Sequence, residues 1–233
     1  MNKLDDAAAV GEQYATEHNL QARQAIYANA EGPSAREVLF EQIAALRPNR
    51  VLEVGGGQGE LAERLVHELD VQLTFVDQSE RMVDVARQRG IDAEVGNVQD
   101  LRFGDGAFDT AIAAWMLYHV PDLDLGLSEL GRVLVPGGHL VAVTNSSDHL
   151  RELRDVIGVS FELRLGRENG EQLLERHFGS VARIDVDGAV TIDDADAVHA
   201  YRDSMMTADK SRDLVFDLPL RVRTAVSVFV ATR

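Results

Sequence analysis

Val51-Leu52-Glu53-Val54-Gly55-Gly56-Gly57-Gln58-Gly59, followed by Glu60 to Leu69, is the stretch that decides the fold. A short apolar run leads into a glycine loop and then into an amphipathic segment, the sequence of a buried strand, a tight turn and a helix. The pattern then repeats. Leu73-Thr74-Phe75-Val76 reads as a second strand, and Ser79 caps a helix running to about Arg89. Ile91 to Val95 is a third strand, Phe108 to Ala113 a fourth, and Leu125 to Leu134 the helix after it. Pro136-Gly137-Gly138 turns the chain into a fifth strand, His139 to Thr144. Strands alternating with helices predict a parallel sheet covered on both faces. Ligands of such sheets bind beyond the carboxyl ends of the strands, where the strand order reverses.

Outward from this core the pattern is looser. Leu4 to Ala30 reads as a weakly amphipathic helix ended by Glu31-Gly32-Pro33-Ser34. Ser34 caps a second helix through Leu46, with Val38, Leu39, Ile43 and Leu46 on one face, and Arg47-Pro48-Asn49 stops it. Beyond Asp148, helices are expected over Leu150 to Leu163, Gly170 to Arg176 and Asp194 to Met205, with strands at Val181 to Val186 and Thr224 to Ala231. The expectation is one α/β domain with a Rossmann-like, seven-stranded, mostly parallel sheet and helices on both faces. Residues 1–47 would be an N-terminal helical lid or extension, 48–146 a cofactor-binding core, and 147–233 a substrate-side segment that completes the sheet.

Composition narrows the function classes. At 233 residues, 45% hydrophobic and 27% charged, the chain can bury a core without disulfides, and it has no cysteine to form them. No apolar run is long enough to span a bilayer, and the acidic start Met1-Asn2-Lys3-Leu4-Asp5-Asp6 does not suit a signal peptide, so a cytoplasmic enzyme is expected. The net charge of −16 repels phosphate backbones and disfavours a nucleic-acid partner. No carboxylate or histidine spacing proposes a metal, and the sequence leaves the oligomeric state open, a homodimer included.

The loop and the strand after it carry the chemistry. Glycines admit left-handed backbone and let a ligand approach without an intervening Cβ. Asp77 ends the next strand, 18 residues after Gly59, where a carboxylate accepts from both hydroxyls of a ribose. Together they point to a nucleoside-containing cofactor. The dinucleotide fingerprint G-x-G-x-x-G fails, because Glu60 stands where the third glycine belongs. Glu53, inside the strand, gives a pyrophosphate nothing, but suits a cationic ligand such as a sulfonium with an α-amino group.

Val51 to Gly59 resembles motif I of the class I S-adenosylmethionine-dependent methyltransferases, and Asp77 matches their ribose-binding acid. Gly96-Asn97-Val98-Gln99-Asp100-Leu101-Arg102-Phe103, Phe108-Asp109, Met116 to Asp122 and Leu130-x-Arg132-Val133-Leu134-x-Pro136-Gly137-Gly138 continue the resemblance in order over Arg50 to Thr144. It is closest to small-molecule enzymes of the ubiquinone/menaquinone-biosynthesis type. The resemblance implies that Glu53, Val54, Gly55, Gly57 and Gly59 surround the methionine part of S-adenosyl-L-methionine, which leaves as S-adenosyl-L-homocysteine. It places Asp77 on the ribose, Gln78 and Met82 at the adenine, Asn97 on the adenine amino group and Val98 on a ring nitrogen. Asn97 replaces an acid usual in the family. Ala114 and Trp115 would pass near the sulfonium, and Tyr14, with Asn19 and Tyr27, could close a lid.

Methyl transfer to a hydroxyl benefits from a general base, for which His119, Tyr118 and His149 are the candidates. Phe161, Tyr201, Met205 and Met206 are candidates for the wall of a small-molecule acceptor pocket. Ala113-Ala114-Trp115-Met116 stands where DNA and protein-glutamine methyltransferases carry an Asn/Asp-Pro-Pro-Tyr turn. The alternatives are a methyltransferase-fold protein that binds the cofactor as a regulator or a cyclase and, more distantly, a nicotinamide-dependent oxidoreductase.

Overall fold

The computed structural model describes residues 22–160, 162–205 and 207–233. A short 3-10 turn, Ile26–Asn29, leads into β1 (Ala30–Glu31) and α1 (Ala35–Ala45). The core follows as β2 (Arg50–Val54), α2 (Glu60–Leu69), β3 (Gln72–Asp77), α3 (Glu80–Gln88), β4 (Asp92–Val95), β5 (Phe108–Ala114), α4 (Leu123–Val133) and β6 (Leu134–Asn145). The remainder is α5 (Arg151–Ile157), α6 (Gly170–Leu174), β7 (Ser180–Ile192), α7 (Ala195–Ser204) and β8 (Leu220–Thr232). One sheet of order β1-β7-β8-β6-β5-β2-β3-β4 holds every strand. Pairing is parallel from β4 to β6 and antiparallel from β6 to β1.

The sheet has eight strands rather than the seven expected. The extra one is Ala30–Glu31, placed by sequence at the end of a helix. It pairs with Val190 and Ala189 of β7, and Gly32, at φ +96°, packs so close to Asp187 and Gly188 that a side chain would crowd them. The helix expected from Leu150 to Leu163 ends at Ile157, because Gly158 takes a left-handed φ of 70° and closes it with bonds to the carbonyls of Arg154 and Asp155. The strand expected to stop at Val186 runs to Ile192 beside β8.

Alternation along the strands sorts the core. Leu52, Val54, Ala111, Ala113, Leu140 and Phe229 face one way, under Leu127, Leu130 and Val133 of α4 and Leu174 of α6. Val51, Phe75, Ile112, Val141, Val143 and Val228 face the other, under Leu39 and Ile43 of α1, Leu65 of α2 and Val83 of α3. A third apolar cluster joins Ile26, Leu153, Ile157, Val198, Tyr201 and Val222 at the antiparallel end. Ser34 caps α1 by accepting from the Glu37 amide, and Ser79 caps α3 by accepting from Met82. The chain winds β2, β3, β4 in one direction and returns to β5 on the other side of β2, so the strand order reverses between β2 and β5. Among the described residues no helix is long and apolar enough to cross a membrane.

Candidate cofactor site

A cleft of about 280 Å³ opens at that reversal. Val54, Gly55 and Gly57 from the β2 end, Asp77 and Gln78 from the β3 end, and Met82 from α3 line it. Asn97 and Val98, after β4, and Trp115 and His119, after β5, complete the set of sequence-predicted residues on its wall.

Local backbone explains the glycines. Gly55 (φ +65°) donates to the Val76 carbonyl at 2.8 Å, and a Cβ there would collide with Met116. At Gly56 a Cβ would stand 2.5 Å from both Glu53 Oε1 and Phe75 Cε2, so only glycine fits over that carboxyl. Gly57 (φ +59°) has open space where its Cβ would be, leaving room for a ligand. Gly59 caps α2 with left-handed backbone and packs on Ala86 of α3, which makes it a helix-packing residue away from the cleft wall.

Two carboxyls lie on the same face of adjacent strands. Asp77 is 8% exposed and takes the Ser79 amide at 2.8 Å; burial pushes it up to about 6, opposed by the amides of Ser79 and Gly57. Glu53 is 1% exposed, and its Oε2 has no hydrogen-bond partner. Burial first, then the charge of Asp77, pushes Glu53 up to about 8. Alternation turns Glu53 toward Phe75 and away from the face of Val54, so it sits behind the glycine loop and is not part of the wall. Ala114 and Tyr118 are not on the wall either, and Tyr14 and Asn19 lie outside the described residues.

The post-β4 loop is held from below. Asn97 Oδ1 accepts the Gln99 amide at 2.9 Å, a turn that shapes the cleft edge. Arg132 of α4 donates to the carbonyls of Leu101 and Phe103 and pairs with Glu129, which in turn accepts the Leu101 amide. The arginine of the Leu130-to-Gly138 motif is therefore a staple for the loop after β4. Asp109 caps the opposite end of β2 by accepting from the amides of Asn49 and Arg50.

Trp115 has φ +54°, rare for a bulky residue. Its amide donates to the Val143 carbonyl at 2.9 Å and its indole Nε1 to Asn145 Oδ1 at 3.2 Å, holding the ring at the cleft. Sequence reasoning missed Val76, Ser79, Gly96, Gln99, Met116, Val120 and Pro121 as wall residues. All adjoin motif positions, and adjacency was the signal available.

The three candidate bases separate. His119 lines the cleft with Tyr118 packed edge-on at 4.5 Å. His149, in the turn after β6, accepts the Ala225 amide on Nδ1 at 3.0 Å, which makes Nε2 the protonated nitrogen and its donor to Tyr27 Oη at 2.9 Å. Burial, then the charge of Arg154, drives His149 down to about 4. With its lone pair occupied, His149 is not a base, which corrects the sequence expectation. Tyr201 and Met205 are buried in the third apolar cluster, and Phe161 and Met206 lie outside the described residues. Among the described residues no group of three or more His, Cys, Asp or Glu could hold a metal ion.

Comparison with known proteins gives the same picture. Residues 52–142 match the methyltransferase domain family. A demethylmenaquinone methyltransferase of Bacteroides fragilis is 35% identical over 117 residues, 46% of this chain and 48% of that protein. The chain thus spans about half the length of the curated relatives it matches. An S-adenosylmethionine-dependent methyltransferase of Thermotoga maritima shares the fold with a TM-score of 0.57 and 21% identity, over 85% of this chain and 89% of that one. The [4+2]-cyclase SpnF shares it at 0.58 and 20%, over 84% and 78%. The motifs in order and the reversal-point cleft fall within or beside the matched stretch: residues 52–142 are similar to the methyltransferase domain family, and the fold is shared with S-adenosylmethionine-dependent methyltransferases.

Proposed function

We propose that this protein transfers the methyl group of S-adenosylmethionine to the oxygen, nitrogen or carbon of a small-molecule acceptor. The observation that carries this reading is a single cleft edged by the glycine loop and Asp77, with the buried, half-unpartnered Glu53 behind the loop. These residues fit the cofactor: Gly57 leaves backbone room, Asp77 offers a carboxylate to ribose hydroxyls, and Glu53 answers positive charge. When bound, the cofactor supplies an electrophilic methyl on a sulfonium.

The chain's own work is alignment. Asp77 holds the ribose, Gln78, Met82, Asn97 and Val98 enclose the adenine, and Trp115 fixes the wall beside the methionyl end. His119 is the wall residue able to take a proton from a hydroxyl acceptor. On this reading residues 48–146 serve as the cofactor core and 147–233 as the acceptor side, while residues 1–21 of the expected 1–47 extension lie outside the described residues. Acidity favours an acceptor other than nucleic acid, since the net charge is −16.

Calorimetry of the folded protein with S-adenosylmethionine and, separately, NADH tests the reading. Micromolar binding of the first and none of the second is expected; the reverse overturns it. A second reading, cofactor-bound cyclisation, draws on the likeness to SpnF. S-adenosylhomocysteine formation across a panel of phenols, amines and carbon acids separates the two, because a cyclase leaves the cofactor intact.

A further inference from the structure

Glu53 stands in an unusual place for a carboxyl. Its register partners are Phe75 on β3 and Ile112 on β5, and Gly56 closes over it from the loop. None of these carries a charge. Among the described residues the charged neighbour acting on it is Asp77, of the same sign. Among these residues no arginine, lysine or histidine acts on it to hold the ionised form, and Oε2 accepts no hydrogen bond. A carboxylate left this way is costly, and a neutral acid is the cheaper form until a cation arrives.

The geometry also says where that cation would come from. The loop between Glu53 and the cleft is only backbone at Gly55, Gly56 and Gly57, and the first and last of these are on the cleft wall. The three glycines themselves put no side chain between the carboxyl and a positive charge placed over the loop. At low local dielectric that charge acts strongly on a buried acid.

We infer that Glu53 is a proton-linked counter-ion, neutral in the free protein and ionising as the cationic methionyl end of S-adenosylmethionine binds. This rests on the cofactor reading above. The step balances simply: the carboxyl O–H bond breaks, the proton passes to solvent, and the carboxylate faces the incoming positive charge. Its consequence is an affinity that rises with pH, because protons compete with the cofactor for Glu53. The relevant window lies above the titration of Asp77, near 6, and below that of Glu53, near 8. The ligand's own amine, at about 7.7–8.0 for its class, is unchanged between protein variants.

The test is calorimetry with S-adenosylmethionine at pH 6.5 and 7.5, on wild type and Glu53→Gln. In wild type, Kd is expected to rise nearly tenfold from pH 7.5 to 6.5, with roughly one proton released per complex, measured from buffers of different ionisation enthalpy. In Glu53→Gln the same step is expected to change Kd less than about twofold, with proton release lost. A flat wild-type profile without proton release overturns the inference, as does a variant that keeps both. If the variant does not fold, the wild-type proton count decides alone. Absence of binding at either pH by folded wild type is a different result: it overturns the cofactor reading itself.

Discussion

In the parallel half of the sheet, at the ends of β2 and β3, Glu53 is buried with one oxygen unpartnered and Asp77 is held only by backbone amides. In the antiparallel half, the buried Ser227, Thr144 and His149 are partnered by the protein itself. Ser227 of β8 donates to Asp185 at 2.6 Å and accepts from Arg167, Thr144 of β6 donates to the Leu165 carbonyl, and both ring nitrogens of His149 are used. Arg167 reaches further, to Asp187 and to the Val226 carbonyl. Buried polar groups are expected to be satisfied, so where they are not, a missing partner is implied. The comparison fits the proposed function: Glu53 and Asp77 leave acceptor capacity at the cleft end of the first half, whereas Ser227, Thr144 and His149 use theirs to hold the second in shape.

The largest expected effect lies in the first half. Asp77→Ala removes the proposed acceptor of two ribose hydroxyls, and S-adenosylmethionine affinity should fall about 100-fold with the fold intact, measured by calorimetry beside circular dichroism. An unchanged affinity would break the comparison at its strongest point.

His149 gives the next largest effect, in the second half. It is neutral when folded, down to about pH 4, whereas an unfolded histidine takes a proton near pH 6.5. The unfolded state therefore binds more protons in this window, and stability falls with acidification below 6.5. Down to pH 4 the loss from this group is about 3 kcal/mol. Glu53 and Asp77, raised rather than depressed, act with the opposite sign, so the effect is read as the difference between wild type and His149→Gln. Denaturant unfolding of the variant should show a flatter acid limb; an identical limb would mean that His149 is solvated. Nitrogen NMR should find the Nε2–H tautomer at neutral pH.

Arg167→Ala sharpens the same contrast. It leaves Asp187 without its cation and Asp185 with Arg183 alone, and removes a donor from Ser227 and from the Val226 carbonyl, at a cost of about 2 kcal/mol in stability. Because Arg167 lies away from the cleft wall, cofactor affinity at a temperature where the variant is folded should stay as in wild type.

How much of this was legible in the sequence follows the same division. The parallel half announces itself because each device is local: Ser79 before its helix, glycines between strand and helix, Asp77 at a fixed distance. The antiparallel half is held by pairs such as Tyr27 with His149, 122 residues apart, and Ala30 with Val190, which leave no local pattern. Alternation of side chains was equally hidden at Glu53. A motif position suggested contact with the ligand, whereas the strand's pleat puts the carboxyl on the Phe75 face, behind the loop. His149 misled for a related reason: composition supplies a histidine, but only the Ala225 amide reveals that its lone pair is spent.

The smallest expected effect is also the most selective. Gly57 and Gly90 are both left-handed, at φ +59° and +82°, and both have open space where a Cβ would stand. Gly57→Ala and Gly90→Ala should therefore each cost about 1 kcal/mol in stability, the price of a left-handed alanine. They differ in place. Gly57 lines the cleft, whereas Gly90 closes the turn after α3 and is absent from the wall. A methyl group at residue 57 takes room that the ligand needs, so its affinity should drop several-fold more than the equal loss of stability in Gly90→Ala can explain. Equal affinities in the two variants would make the loop a structural turn, and the binding half of the sheet would lose its claim to the glycines.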